Sequence, residues 1–488
     1  MNSILGRLPK RASFVALSIA ALAASACSGR STVTPPIATN PALLAPSATG
    51  SSAAHFKKPK TGQIQHVVVI IQENRSFDNL FQAYPGANTQ SYGLAVPTPA
   101  GGGTPVPGTT PVSIPLQQIA LDTHFDIYHD HFTWLLAWDK GNMDGFNQEP
   151  TVPAQSGFTA PMYSYVPEKD VKPYWTMAQE YVLADDMFAS HIDGSFVAHQ
   201  YLIAGQANRE VDYPSLGSGV GGPWGCVGGP TDTIHQLLPN PNPSHLQDPA
   251  SPVPVCEDPQ TLGDELDTAK LPWKLYSYVD ISPSGNEPEA SNWEPYQAVS
   301  HIYYGPDYAN IISPPTQILT DIAAGNLPAV TWVNPLYPDS DHPGGGGAKK
   351  GPSWVASVVN AIGKNKTLWN TTAIFVVWDD WGGFYDHVSP PQVDFDGLGF
   401  RVPLLCIGPY AQQGVVNHTQ LEFGSILRMI ENNWNLPQLA PSDTRATPAD
   451  QGCMDYSQAP RKFKKLPALY PPLYFIQEKP DHTPVDTQ

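Results

Sequence analysis

Four continuous apolar runs punctuate the chain beyond residue 60. Residues 66–71 read HVVVII, and similar runs recur at 329–333, 373–378 and 402–408. Runs without polar alternation belong to strands buried on both faces, as in a parallel sheet covered by helices on each side. Between them the apolar period changes. Val355, Val358, Val359 and Ile362 share one helix face, and so do Phe423, Ile426, Leu427, Ile430 and Trp434. Helices alternating with fully apolar strands predict an α/β fold, a sandwich around a largely parallel sheet.

Long Pro/Gly-rich segments, 93–114 and 211–258, interrupt this pattern and read as insertions over one edge of the sheet. Residues 28–60 are rich in Ser, Thr, Ala and Pro and have too few large apolar groups for a core, so they read as a flexible linker. The catalytic domain is expected over 61–488, with a Pro-rich tail after Leu466 lying on its surface.

The first 27 residues read as an export signal. Arg7, Lys10 and Arg11 precede an apolar run from Phe14 to Ala26, and small residues lead into Cys27. The run is too short to span a bilayer. Either a signal peptidase cuts near Ala24–Ala26, or Cys27 is lipidated and tethers the mature chain. Both endings imply an exported protein, periplasmic, extracellular or an outer-surface lipoprotein, touching membrane only through such an anchor.

Charge narrows the partners. Acidic residues number 44 against 26 basic ones, a formal net charge of −18. That balance repels nucleic acid unless a basic patch overrides it, and the densest basic stretch, Arg461 to Lys465, is short. Export places Cys226, Cys256, Cys406 and Cys453 where disulfides persist. A bridge between Cys226 and Cys256 would tie down the second insertion. Cys406, inside an apolar run, reads as a buried structural thiol.

Ligands of open α/β sheets collect beyond the carboxyl ends of the strands. Gln72-Glu73-Asn74-Arg75 follows the first apolar run, Asp379-Asp380-Trp381-Gly382-Gly383 the third, and Asp339-Ser340-Asp341-His342 comes shortly after the second. Such an oxygen-rich edge suits a divalent cation. Adjacent residues of a regular strand point to opposite faces, so Asp379 and Asp380 share an ion only if the strand ends there. The Trp-Gly-Gly that follows supplies the break.

Ser195 opens a predicted helix running to Gly205. It is either an ordinary N-cap or a nucleophile whose oxyanion and bound phosphate the helix N-terminus stabilises. No GxSxG elbow surrounds it, and the chain contains neither a Walker-type loop nor HExxH. Among the 14 histidines, His129 and His131 form an HxH pair, and His301, His342, His387 and His418 sit among polar or turn residues.

Several long segments resemble the bacterial phosphoesterase family of phospholipases C and acid phosphatases. They are IIQENRSFDNLF (70–81), GNMDGF (141–146), DDMFASHIDGSF (185–196), SDHPG (340–344), GPSWVASVVNAI (351–362), VVWDDWGGFYDHVSPP (376–391) and GFRVPLLCIGPYA (399–411). The resemblance implies an alkaline-phosphatase-like α/β/α sandwich carrying the Gly/Pro-rich insertions. It implies one divalent metal ion held by Glu73, Asn74, Ser195, Asp379 and Asp380, with Ser195 also the nucleophile. His129 and His342 match histidines that contact the transferred phosphoryl group, and His301 and His387 lie in family segments and join the catalytic candidates. Members usually follow the nucleophile with Pro-Asn, where this chain has Val197-Ala198. Ser195 and Asp380 lean toward the phosphatase branch, whose phospholipase counterparts tend to carry Thr and Glu.

The implied activity is hydrolysis of phosphate monoesters through a phosphoserine. A phospholipase C acting on a phospholipid head group is the alternative, and a non-catalytic binding protein on the same scaffold is the reading from another class.

Overall fold

Eight strands hold the centre of the molecule: β1 (His66–Gln72), β2 (Val182–Ala184), β3 (Trp273–Tyr276), β4 (Ile311–Ile312), β5 (Val330–Val333), β6 (Thr372–Trp378), β7 (Leu404–Ile407) and β8 (Val415–Asn417). They form one sheet in the order β4-β3-β5-β1-β6-β7-β2-β8. All run parallel except β7, which is antiparallel to both of its neighbours. The computed structural model describes residues 57–97, 109–152, 157–216, 224–237, 252–280, 289–344, 350–394 and 397–478. The expected signal and most of the expected linker lie outside them. No described helix is long and apolar enough to cross a membrane.

The pleat shows that helices cover both faces. On β1, Val69 is in register with Trp332 of β5, and Gln72 with Trp378 of β6. Val69 and Gln72 are three residues apart and so face opposite sides. The Trp332 indole donates to the Leu202 carbonyl of one helix, while Trp378 packs edge-on against Tyr174 of another. These are α2 (Ser195–Ala204) and α1 (Lys172–Glu180). The helices expected from periodicity are α3 (Gly351–Lys364), which packs with α1, and α4 (Phe423–Trp434), which packs with α2. The result is the expected α/β/α sandwich. β1 and β6 are buried along nearly their whole length, as their unbroken apolar runs require.

The insertions contain structure of their own. Tyr92–Ala95 pairs with Val112–Pro115 as a hairpin, and Thr233–Gln236 pairs with Glu210–Val211 and with Val253–Pro254. Cys226 and Cys256 are bridged, which ties down the second insertion. Cys406 is not a thiol: it is bridged to Cys453, 47 residues on. An apolar run shows that Cys406 is buried but says nothing of which distant turn packs over β7. The tail crosses α3, with the Leu466 amide on Asn360 Oδ1 at 2.8 Å and the Leu469 amide on Ser353 Oγ at 2.9 Å.

Candidate active site

The register of β1 against β6 carries Glu73-Asn74 and Asp379-Asp380 out of the sheet side by side. Asn74 takes a left-handed backbone conformation, φ +59°, which Asn tolerates better than most residues. Its amide donates to Asp379 Oδ1 at 2.9 Å. On the other strand, Gly382 has φ +59°, and a Cβ there would sit 2.1 Å from the Asn74 carbonyl oxygen. Only glycine permits that approach. Its amide donates to Asp380 Oδ1 at 2.7 Å. The turn therefore breaks the alternation that would otherwise send Asp379 and Asp380 to opposite faces.

Ser195 is the first residue of α2, preceded by Gly194 as N-cap. A Cβ on Gly194 would meet Tyr213 Oη at 2.7 Å and the His129 carbonyl at 2.9 Å, so the chain enters the helix at a point where only glycine fits. Ser195 Oγ donates to Asp380 Oδ2 at 3.1 Å and accepts from Asn74 Nδ2 at 3.1 Å. Glu73, Asn74, Ser195, Asp379 and Asp380 are each 0% exposed. The five residues expected as metal ligands are thus brought together.

Two of their oxygens bear on a cation. Asp379 Oδ2 and Asn74 Oδ1 are buried and accept no hydrogen bond among the described residues. An uncompensated buried carboxylate oxygen is costly, and a metal ion removes that cost. The donor set, carboxylates with an amide and a hydroxyl, fits a divalent ion.

His129 and His342 also belong to the site. A carbonyl can only accept, so the contact of His129 Nδ1 with the Ile127 carbonyl at 2.6 Å puts the ring hydrogen on Nδ1. Nε2 then accepts from Asn74 Nδ2 at 2.6 Å. His342 is fixed in the same way, with Nδ1 donating to the Pro343 carbonyl at 2.6 Å, and its ring lies 5.8 Å from that of His129. The loop carrying His342 is held down by its neighbour. Asp341 accepts from Tyr174 Oη at 2.8 Å and from the Trp378 indole at 3.1 Å, and its own amide donates to Gln72 Oε1. Burial pushes the Asp341 carboxyl up to about 6 despite these donors and Arg75.

His301 and His387 lie elsewhere. His301 bridges Asp258 at 2.6 Å and Asp264 at 2.7 Å in a partly exposed ion pair network. His387 contacts Asp78 at 2.6 Å and Asn88 at 3.0 Å, beside the buried pair of Arg401 and Asp386. Neither touches the Ser195 group. The structure thus places both apart from the Ser195 group, because turn-like sequence shows exposure but not which loops meet.

The sequence reading missed His199. It is buried on α2, and its Nε2 lies 3.2 Å from Glu73 Oε1. The available signal was its spacing, four residues after Ser195 and hence on the same helix face. Nearby His191 is pushed down to about 3, mainly by burial, and stays neutral. The Ser195 amide donates to Tyr213 Oη at 3.4 Å, and Tyr213, with Asp130, Asp212 and His235, lines an open cavity of about 270 Å³.

Residues 64–437 match the Phosphoesterase family. A non-hemolytic phospholipase C of Pseudomonas aeruginosa is 25% identical over 437 residues, covering 80% of this chain and 56% of its own. The chain thus spans little more than half the length of that relative. Phospholipase C A of Mycobacterium tuberculosis is 25% identical over 428 residues, covering 77% of this chain and 73% of its own. The phosphonate monoester hydrolase from Silicibacter pomeroyi aligns over 60% of this chain and 73% of its own, with 12% identity and a TM-score of 0.30. The chain belongs to the Phosphoesterase family, hydrolases of ester bonds.

Proposed function

We propose that this family member is an exported phosphoesterase that attacks phosphorus with Ser195 and passes through a phosphoserine. The observation that carries the reading is the position of Ser195 Oγ, at a helix N-terminus and 3.1 Å from both Asp380 Oδ2 and Asn74 Nδ2. Glu73, Asn74, Ser195, Asp379 and Asp380 would hold one divalent ion. When bound, that ion supplies Lewis acidity toward the Ser195 oxygen and the phosphoryl oxygens.

The chain's own residues supply the rest. Asp380 Oδ2 faces the hydroxyl hydrogen and orients it away from the attacking lone pair. As Ser195 Oγ bonds to phosphorus its proton passes to Asp380 Oδ2, and the bond from phosphorus to the alcohol oxygen breaks. Water then attacks the phosphoserine, the phosphoryl group leaves carrying the water's oxygen, and a proton returns to Ser195 to restore the hydroxyl. The amides opening α2 are the donors available to the charge that develops on the phosphoryl oxygens. His129 and His342, each with a hydrogen held on Nδ1, act as acid toward the leaving oxygen only when Nε2 is protonated as well, and for His129 that displaces the hydrogen bond from Asn74 Nδ2.

Two specific features bear on substrate. The names of the Pseudomonas and Mycobacterium relatives favour a phospholipid phosphodiester. The pairing of Ser195 with Asp380 favours a monoester, through the resemblance to the phosphatase branch. The deciding assay uses an aryl phosphate monoester and a phosphocholine diester, with wild type, Ser195→Ala and a chelated sample run together. Turnover abolished by both treatments supports the serine–metal reading, and the substrate that turns over fixes the class. Full activity in Ser195→Ala ends it, and no turnover of either substrate favours the binding-protein reading.

A further inference from the structure

Helix α2 carries two polar side chains into the site, Ser195 and, one turn on, His199. Ligand atoms of Glu73, His199 and Asp379 all lie within 4.8 Å of one another, and all three residues are buried. His199 Nε2 is 3.2 Å from Glu73 Oε1. Asp379 adds Oδ2, a buried oxygen that accepts no hydrogen bond among the described residues. Two carboxylates and an imidazole at this spacing can be spanned by one ion.

Resting on the metal reading above, we infer that His199 is a nitrogen ligand of the site's cation, and that it sets which cation is preferred. The set of Glu73, Asn74, Ser195, Asp379 and Asp380 offers only oxygen, which suits hard ions such as Mg²⁺ or Ca²⁺. One imidazole shifts the preference toward Zn²⁺ and its transition-metal neighbours. For this role the neutral ring keeps its hydrogen on Nδ1 and presents the Nε2 lone pair. The helix fixes the geometry, because residues four apart share a face and Ser195 and His199 move as one rigid unit.

The test is calorimetric titration of chelator-treated mature protein with Zn²⁺ and, separately, Mg²⁺, in wild type, His199→Gln, His129→Gln and Asp379→Asn. His199→Gln should lose roughly 10- to 100-fold in Zn²⁺ affinity, the scale of losses at metal-supporting positions, and keep Mg²⁺ affinity within about threefold. Asp379→Asn should weaken both ions, and His129→Gln, which removes the hydrogen bond that orients the Asn74 amide, should weaken both to the same extent. Equal losses for both ions in His199→Gln, or no loss, overturn the ligand role and leave His199 as a hydrogen-bond donor to Glu73. Wild type that binds neither ion removes the metal reading itself, a result distinct from the failure of His199 alone. If His199→Gln does not fold, the electron paramagnetic resonance spectrum of Cu²⁺-loaded His129→Gln decides. Nitrogen coupling there supports the inference, and an all-oxygen spectrum overturns it.

Discussion

Asp380 holds Ser195 with one carboxylate oxygen and the turn behind it with the other. Oδ2 accepts the Ser195 hydroxyl at 3.1 Å, and Oδ1 accepts the Gly382 amide at 2.7 Å. The carboxylate is therefore anchored to the backbone before it meets the hydroxyl, so the direction of the Ser195 O–H is set by the sheet and not by a mobile side chain.

Removing that hydroxyl separates chemistry from folding. Ser195→Ala should lower kcat for phosphoester hydrolysis by about 10³-fold or more, as losses of a nucleophile do. Its thermal midpoint should stay within a few degrees of wild type, since the buried group removed is small. Retained turnover in steady-state assays would show that another group attacks phosphorus.

Gly382 should prove as sensitive as the catalytic residues. Gly382→Ala places a methyl 2.1 Å from the Asn74 carbonyl oxygen at a positive φ. The turn must shift, Asp380 loses its anchor, and both stability and kcat should fall. The backbone strain alone costs about 1 kcal/mol, and the clash adds to it. A thermal melt and a single-turnover assay on the same preparation test the linkage. A loss of stability without any loss of kcat would contradict it.

The histidines divide into two groups. His129→Gln should cut kcat by about 10²-fold or more, the usual scale of general acid catalysis. His301→Gln should leave kcat and KM within about threefold, because its contacts with Asp258 and Asp264 lie on a partly exposed face where ion pairs contribute little. Parallel kinetics of the two variants test the division, and it fails if they behave alike.

Stability should decline from mildly acidic to alkaline pH. Burial pushes Glu294 from 4.5 up to about 8, against the pull of the Tyr296 amide and the Tyr308 hydroxyl. The folded chain then keeps a proton that the unfolded chain has lost. This contribution is fully present below about pH 4.5 and is lost as pH rises through 8. Asp341 and Asp450, each pushed up to about 6, act with the same sign between 3.8 and 6. The thermal midpoint should be higher at pH 5 than at pH 8, and Glu294→Gln should flatten the decline above pH 6. Melting curves of both proteins across that range provide the check, and a midpoint that rises with pH would contradict it.

Much of the site was legible because the physics behind it is local. A fully apolar run ends where its strand ends, and the polar residues that follow must emerge at the sheet edge. That placed Glu73-Asn74 and Asp379-Asp380 at strand ends, and apolar spacing placed the long helices α3 and α4. The start of α2 at Ser195 followed from Gly194 and the helix that runs to Gly205.

The remainder depended on contacts between distant segments. Ser195 meets Asp380 across 185 positions and Asn74 across 121, and the order β5-β1-β6-β7-β2 that brings them together leaves no mark in a strand's hydrophobicity. The same gap explains His301 and His387, whose polar surroundings do not reveal that their partners are Asp258, Asp264 and Asp78 and not the Ser195 group. It explains His199 and Cys406 too, since burial in an apolar stretch does not say what lies across the interface. Sequence by itself determined the elements, their buried faces and the chemistry at each strand end, because those follow from the period of apolar residues. Tertiary structure alone decided which ends share a site, because strand order and left-handed turns such as Asn74 and Gly382 are set by long-range packing.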